Sequence, residues 1–539
     1  MQSDLMSDRR RENCFGWPAL VLLVSLLSTG CGNQNPKPGV AWTDLHPSTG
    51  TVATAEQVRT FCGACHAVPR PESFPREAWY DEVKRGFNFY YDSGRTDLEV
   101  PSQASVTAYF QQNATEQLAA PEMPESSVQP LKFRTIDVEL ETNFERKPLP
   151  AFSFIDLVSA SDENVVVRFS DMRSGYFGAA TLPLAIPSSG TPPVVTANAS
   201  DRMRVKPDWA IPDRVISPAS IRECDLNGNG ISDLIVADLG SFLPEDHDRG
   251  KVLLIPDGRA DNSVVLIDRI GRVADVQVAD LNDDELPDIV VGEFGWHSTG
   301  GIHVLLATRA FDGADAFEQI QLDQRPGAIH VLPQDMNGDG RLDIVALMSQ
   351  EFEQVVAYLN QPDGTFSQPE ILYAAPDPTW GSSGLLLHDM DNDGDQDILY
   401  TNGDTFDSYI VKPYHGIHWL ENEGELRFKL HEIAVQPGVH RALPADLDGD
   451  GDTDVVSVAL LPEKSLAGLE PELRHAIVWF ENMNDGQYQR HVLERGEPNY
   501  AALVLRDLNG DGRPDILVGN FAGVARDHRV DFRILLNEG

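Results

Sequence analysis

Three residues of one hexapeptide, FCGACH, are set out for covalent chemistry: Cys62, Cys65 and His66. In C-x-x-C-H, two thiols can add to the vinyl groups of a haem while the adjacent imidazole reaches the iron. The same two thiols could instead close a redox or structural disulfide, or supply half of a zinc site. Zinc is disfavoured because no second C-x-x-C or H-x-x-x-H stands elsewhere in the chain. A sixth iron ligand is harder to find. Between His66 and Met172 the only methionine is Met123, in the polar segment APEMPESS, where it is either that ligand or a linker residue.

A second constellation is acidic and recurs six times. The loops begin at Asp225, Asp280, Asp335, Asp389, Asp446 and Asp507, at spacings of 55, 55, 54, 57 and 61 residues. Side-chain oxygens at positions 1, 3, 5 and 9, with a backbone carbonyl at 7 and glycine at the sharp turn of position 6, wrap one hard cation. Calcium fits, so six Ca²⁺ at most are expected. The candidate ligands are Asp225, Asn227, Asn229 and Asp233; Asp280, Asn282, Asp284 and Asp288; and Asp335, Asn337, Asp339 and Asp343. The later sets are Asp389, Asp391, Asp393 and Asp397; Asp446, Asp448, Asp450 and Asp454; and Asp507, Asn509, Asp511 and Asp515. The first has only two carboxylates and the second carries Glu285 in place of glycine, so these two should bind least well.

The elements that must position these loops follow from the period. Each loop runs into an apolar, β-branched stretch such as LIVA, IVVG or ILVG, then a second strand ending near an Asn-Gly turn, then an alternating segment. With the strand before the loop this makes four strands per repeat, which reads as a β-propeller blade. The pattern resembles the FG-GAP/VCBS repeats of integrin-like propellers over nearly everything from residue 150 onward. A degenerate blade precedes the six: in IDLVSASDENVVVRF, Asp156 and Asn164 hold positions 1 and 9, but Val158 and Ala160 leave no cation site. The fold class expected is mainly β, a seven-bladed propeller with calcium-binding loops, preceded by a small helical domain.

That domain starts at a capping box, Thr54 with Gln57, and its helix runs into the cysteine pair. Over about residues 51–115 it resembles a small class I cytochrome c. The resemblance implies covalent haem c on Cys62 and Cys65, with His66 on the iron. The stretch EAWYDEV reads as an amphipathic helix whose Trp79 and Val83 either cover the haem edge or are plain core.

The N-terminus reads as an export signal, residues 1–30, with Arg9, Arg10 and Arg11 before a short apolar run. LLSTGC resembles a bacterial lipoprotein signal, which implies a lipidated Cys31; an ordinary cleaved signal is the alternative. Residues 31–50 read as a tether and 116–130 as a linker, leaving 131–539 to the propeller. The expected place is the periplasm or cell envelope, anchored to the outer membrane through Cys31. Of the five cysteines, Cys14 would leave with the signal and Cys224 reads as a small buried hydrophobe.

Composition bounds the partners. The 539 residues carry 42 Lys+Arg against 84 Asp+Glu, a net of −42, which excludes nucleic acid and an anionic membrane surface as main partners. Six Ca²⁺ would bring that only to about −30, so the remaining charge is solvated surface. By topology, the second-to-third-strand loops and the blade-to-blade loops share the face opposite the acidic loops. They hold His247, His297, His415, His418, His475 and His528, with Arg325, Trp380, His440, Arg441 and Tyr500. These are either a face for an unidentified protein or small-molecule partner, or ordinary loop tips. No catalytic constellation is legible. Three functions stay open: an exported haem protein joining electron transfer to partner binding; an oxidoreductase on the His-rich face using the haem as acceptor; and an adhesion or scaffold propeller with a vestigial haem segment.

One expectation concerns closure. The chain stops at FRILLNEG, one strand short of a blade, and Leu131–Leu140 (LKFRTIDVEL) matches the missing strand. It is expected to be the outermost strand of the blade holding Asp507, because an open edge is avoided in closed rings. It should start on the acidic-loop face and tether the haem domain there through a linker able to reach ~60 Å.

Overall fold

The computed structural model describes residues 52–124, 130–142, 147–160, 164–184, 201–210, 215–484, 486–522 and 530–539. The export signal, the tether, Cys31 and His528 lie outside them. Residues from Thr51 to Gly539 form one compact unit. No helix among the described residues is long and apolar enough to cross a membrane.

Seven sheets follow one another as propeller blades, six of them antiparallel throughout. Blade one is Phe152–Ala160, Val165–Asp171, Tyr176–Leu182 and Asp208–Ala210; blade two is Pro218–Cys224, Asp233–Asp238, Gly250–Ile255 and Val264–Ile270. Blades three to seven begin at Val273, Ala328, Ser382, Val439 and Tyr500. The second strand explains the apolar runs. In blades two to seven it is six residues long and buried throughout, so it carries apolar residues on both faces instead of alternating. First strands of neighbouring blades pack side by side around the axis. Each of them in blades two to seven has a register shift two residues in, as between Pro218 and Ser220 or Val439 and Arg441.

Phe133–Leu140 is the fourth strand of blade seven, antiparallel to Phe532–Asn537 with Phe133 opposite Asn537. It is not outermost. Asp201–Val205 adds a fifth strand parallel to it. Closure is apolar: Phe152 of blade one packs on Phe532 of blade seven with ring centroids 4.6 Å apart, and Phe169 sits 5.3 Å from Phe532.

The N-terminal module has three helices: α1 (Ala55–Cys62), α2 (Trp79–Asp92) and α3 (Gln103–Asn113). Their shared core contains Val58, Phe61, Val83, Phe87, Val106 and Phe110.

Candidate functional site

Helix α1 delivers the thiols. Its capping box is present, with the Gln57 amide donating to Thr54 Oγ1 at 3.2 Å and the Thr54 amide to Gln57 Oε1 at 2.9 Å. Cys62 is the last helical residue, and the chain turns off at Gly63, where a Cβ would stand 2.4 Å from the Arg59 carbonyl oxygen. Both thiols are free; Cys62 is half-buried and Cys65 exposed. Burial, and then the neighbouring Cys65, push the Cys62 thiol up to about 11. It therefore stays protonated at neutral pH.

His66 is set for iron. Its Nδ1 lies 2.7 Å from the Ala67 carbonyl, which can only accept, so Nδ1 carries the hydrogen and Nε2 keeps its lone pair. Cys62, Val68, Leu98 and Tyr109 form a partly buried apolar rim on the module core. These residues fit a haem: two thiols, one correctly protonated imidazole and an apolar rim. Bound there, haem c would supply a one-electron centre. Arg95 donates to Cys65 Sγ at 3.2 Å and is held by Asp97 at 2.7 Å.

Two flanking assignments resolve differently. Trp79 stacks on Phe110 at 4.0 Å and 7°, and its Nε1 donates to the Pro71 carbonyl at 2.8 Å. With Val83 it is core. Met123 is not brought to the cysteine motif. Its sulfur accepts from Arg490 Nη1 at 3.0 Å on blade six, where Arg490 also donates to the Val435 carbonyl at 2.6 Å.

The module is seated on the propeller by a buried polar lock that no periodicity announces. Asp377, in the loop between blades four and five, accepts at Oδ2 from the Arg70 amide (2.7 Å) and Ser73 Oγ (2.6 Å). Its Oδ1 takes the Thr379 amide at 2.9 Å and hydroxyl at 2.6 Å. Lys412, from the second-to-third-strand loop of blade five, donates to the Ser73 carbonyl at 2.5 Å and lies 3.7 Å from the Phe74 ring centroid. Asp377 is 3% and Lys412 2% exposed. Burial brings the Lys412 ammonium down to about 8, against the opposing pull of Asp377 and Glu82. Phe89 packs on His297 of blade three at 4.1 Å, and Ile410 of blade five packs on the module core. Burial raises Glu351 of blade four, a rise that nearby His66 opposes.

All these propeller residues belong to second-to-third-strand or blade-to-blade loops. The module therefore sits on the face opposite the acidic loops, whereas Phe133 starts on the acidic-loop side, opposite Asn537. The expectation that the module hangs from the acidic-loop face thus holds only for the start of the strand; the module itself lies across the ring.

The remaining residues of that face do separate local work. His415 Nδ1 lies 3.4 Å from the Lys412 amide and His418 Nε2 2.9 Å from Asn402 Oδ1; burial drops them to about 3 and about 4. His475 lies between Arg490 and Arg495, and His247 meets Ser241 at 2.9 Å. Trp380 stacks on Tyr414, Arg325 pairs with Asp323 at 2.7 Å, and Tyr500 donates to Glu494 at 2.9 Å. Asn402, which meets His418, also donates to the Trp380 carbonyl at 3.3 Å.

The acidic loops share one architecture. The position-9 aspartates Asp233, Asp288, Asp343, Asp397, Asp454 and Asp515 are all buried. Each takes the position-2 amide on Oδ2 and an amide at or just beyond the end of the third strand on Oδ1; for Asp454 these are Leu447 at 3.1 Å and Asn482 at 2.8 Å. The same pair of bonds recurs from Asp233 (Leu226 and Asp257) to Asp515 (Leu508 and Asn537). Position 9 is thus a staple between the loop and its own blade. Position 1 folds the loop: Asp225, Asp280, Asp335, Asp389, Asp446 and Asp507 each accept the position-6 amide.

At positions 3 and 5, Asn227, Asn282, Asn337, Asp391, Asp448 and Asn509 accept the amides of Asn229, Asp284, Asp339, Asp393, Asp450 and Asp511. Arg341 and Arg513 pair with Asp339 and Asp511. Among the described residues, three carboxylates converge in two loops, Asp389 with Asp391 and Asp397, and Asp446 with Asp448 and Asp450, oxygens within 4.8 Å of one another. Burial and then neighbouring carboxylates raise Asp391; burial also leads the rise of Asp448. Glu285 sits at φ 66°, where the other loops place glycine at φ 83–101°. A side chain in that region costs about 1 kcal/mol.

Comparisons with known proteins meet this geometry at both ends. The dihaem cytochrome c family model matches residues 58–147, and the FG-GAP-like repeat model matches residues 335–400. The chain is a seven-bladed propeller joined to a cytochrome c-like module. It carries one C-x-x-C-H, so the covalent chemistry provides for a single haem. The first match also runs past the helices into Phe133–Leu140. No curated protein matches the sequence. Similar solved structures include the N-terminal domain of Nup159 (13% identity, 77% of this chain and 98% of that one, TM-score 0.37). Another is rhamnogalacturonan lyase YesW (14%, 75% and 76%, TM-score 0.36). Both are too distant to bear on function. The two family matches support a haem-binding propeller protein with haem c as cofactor.

Proposed function

We propose that this is an exported electron-transfer protein in which the propeller holds a haem c module and presents it to a protein or small-molecule partner. The observation that carries the reading is the seat: a charged side chain from each of two loops, buried against the turn that follows the haem motif. A tethered carrier needs no such lock, whereas a module that must stand in one orientation towards a partner does. Calcium in the acidic loops would brace the opposite face, supported by the two converging carboxylate sets. Lipidation of Cys31 would hold the molecule at the outer membrane, supported by the LLSTGC stretch.

The test is a reduced-minus-oxidised absorption spectrum of full-length protein made in a host with cytochrome c maturation, followed by a redox titration. A c-type band with a reversible one-electron wave is expected. Absence of the band from wild-type protein overturns the reading. Reduction of the haem by a sugar, alcohol or other small molecule would extend the reading to an oxidoreductase.

A further inference from the structure

The propeller brings one unpaired carboxylate to the haem motif, from a loop whose shape is costly. Glu351 lies in the second-to-third-strand loop of blade four, between Asp343–Met348 and Gln354–Tyr358. Two residues of that loop, Gln350 at φ 56° and Glu353 at φ 49°, stand in the left-handed region although neither is glycine. A Cβ disfavours that region, and a fold keeps such residues only where their surroundings over-determine them.

In this loop they do. The Phe352 amide closes the turn onto the Ser349 carbonyl at 3.4 Å, and Gln350 Nε2 donates to the Phe294 carbonyl of blade three at 3.4 Å. The Arg325 guanidinium lies over the Phe352 ring at 5.2 Å. Glu353, 4% exposed, is tied to the loop that seats the haem module. Its carbonyl takes the Ala375 amide at 2.9 Å, and its carboxylate takes the Gly381 and Ser382 amides at 3.1 and 2.9 Å. Asp377 of that seating loop holds the Arg70 amide at 2.7 Å, four residues after His66. One hydrogen-bonded frame thus fixes Glu351 on the propeller and the haem motif on the module.

Glu351 itself is unmatched. It is half-buried, and among the described residues its carboxylate makes no hydrogen bond and no ion pair. The titratable group that acts on it is His66. Other carboxylates of this face serve the fold: Asp377, Glu353 and Asp238 each accept backbone amides. Glu351 accepts none, yet it is held firmly beside the histidine set for iron.

We propose that Glu351 is the propeller's contribution to the haem, a fixed negative charge that favours ferric over ferrous iron and so lowers the reduction potential of the module. The inference rests on the haem reading above. Oxidation leaves one more positive charge at the iron, and a nearby carboxylate stabilises that form. Glu351 touches no reacting atom and acts through space, as outer groups around a metal do. At an effective dielectric of about 20, one charge near a redox centre is worth about a decade in the ferric-to-ferrous ratio, about 59 mV for one electron. The module would keep this potential only while seated, which gives the lock a use beyond orientation.

The test is a redox titration of full-length holoprotein with a charge series at this one position. Glu351→Asp should keep the wild-type midpoint, Glu351→Gln should raise it by about 59 mV, and Glu351→Lys by about twice that. Glu425→Gln, at an exposed glutamate in the turn after the third strand of blade five on the other face, should leave it unchanged. A role confined to folding would lower the melting temperature without ordering the midpoints by charge. An unchanged midpoint in Glu351→Gln overturns the proposal, as does a Glu351→Lys midpoint no higher than that of the wild type. Should Glu351→Lys not fold, Glu351→Gln decides alone. Absence of a c-type band from wild-type protein overturns the haem reading and this inference with it, whereas a normal band with a flat charge series overturns this inference only.

Discussion

Replacing Asp377 by alanine should release the haem module from its seat. Two of the four hydrogen bonds that the carboxylate accepts cross between module and propeller, at 2.7 Å from the Arg70 amide and 2.6 Å from Ser73 Oγ. A buried hydrogen bond to a charged group is worth about 1.5–3 kcal/mol. Losing both therefore costs about 3–6 kcal/mol, before counting Lys412, left buried without the carboxylate that favours its charge. At about 1.4 kcal/mol per decade, the docked-to-free ratio should fall at least a hundred-fold. Native-state hydrogen exchange of the full-length holoprotein reads this directly, because the Arg70 amide is itself a lost donor. Its exchange should accelerate by about two decades or more, while the buried second strand Asp454–Ala459 stays protected. Asp377→Asn, which keeps one acceptor oxygen, should fall between. Unchanged exchange at Arg70 in Asp377→Ala would refute the claim that this lock holds the module.

Cys62→Ser with Cys65→Ser should abolish covalent haem and His66→Ala should remove its axial ligand, whereas Met123→Ala should leave the reduced spectrum unchanged; a shifted spectrum in Met123→Ala would return Met123 to the iron. Chelator should lower the melting temperature and millimolar Ca²⁺ restore it, with Asp446→Ala costing more than Asp280→Ala, whose loop already carries Glu285 at positive φ; identical melting curves with and without chelator would rule this out. Burial raises Glu353 to about 8 despite hydrogen bonds from the Gly381 and Ser382 amides and the Ser382 hydroxyl. The folded state then holds a proton that the unfolded state loses near 4.5, so this contribution is present below pH 4.5 and lost as pH rises through 8. Glu353→Gln should flatten the decline of melting temperature across that window, and an unchanged slope would remove Glu353 as its cause. A chain beginning at Ser153 should melt well below one beginning at Gln129, since it lacks the strand that pairs with Phe532–Asn537; equal stability would show that the edge needs no cover.

What the sequence discloses about this molecule divides by face, and the reason is physical. On the acidic-loop side every blade solves the same problem. A buried aspartate must staple its loop to the end of the third strand or the residues just beyond it, as Asp515 does to Asn537 and Asp233 to Asp257. That requirement repeats with the blade, so it imposes a period, and the period carries the blade count and the ring with it. The fully buried second strands add a second repeating demand, six apolar residues at a time. On the other side Asp238 takes the Ser217 amide and Glu293 the Gly271 amide, but among the described residues no one aspartate position repeats through blades two to seven, and each loop answers largely to what packs on it. Asp377 meets Ser73 across 304 residues, and Arg490 takes Met123 across 367. Pairings of that kind leave no trace in spacing or composition. The same freedom governs the histidines of that face. His415 and His475 were absorbed by their nearest neighbours, a backbone amide and two arginines. The residues that do seat the module, Asp377 and Lys412, are single charges in loops of unremarkable composition. The face that repeats is thus the one a sequence can describe, and the face that does not repeat is the one on which this chain was free to place its haem module.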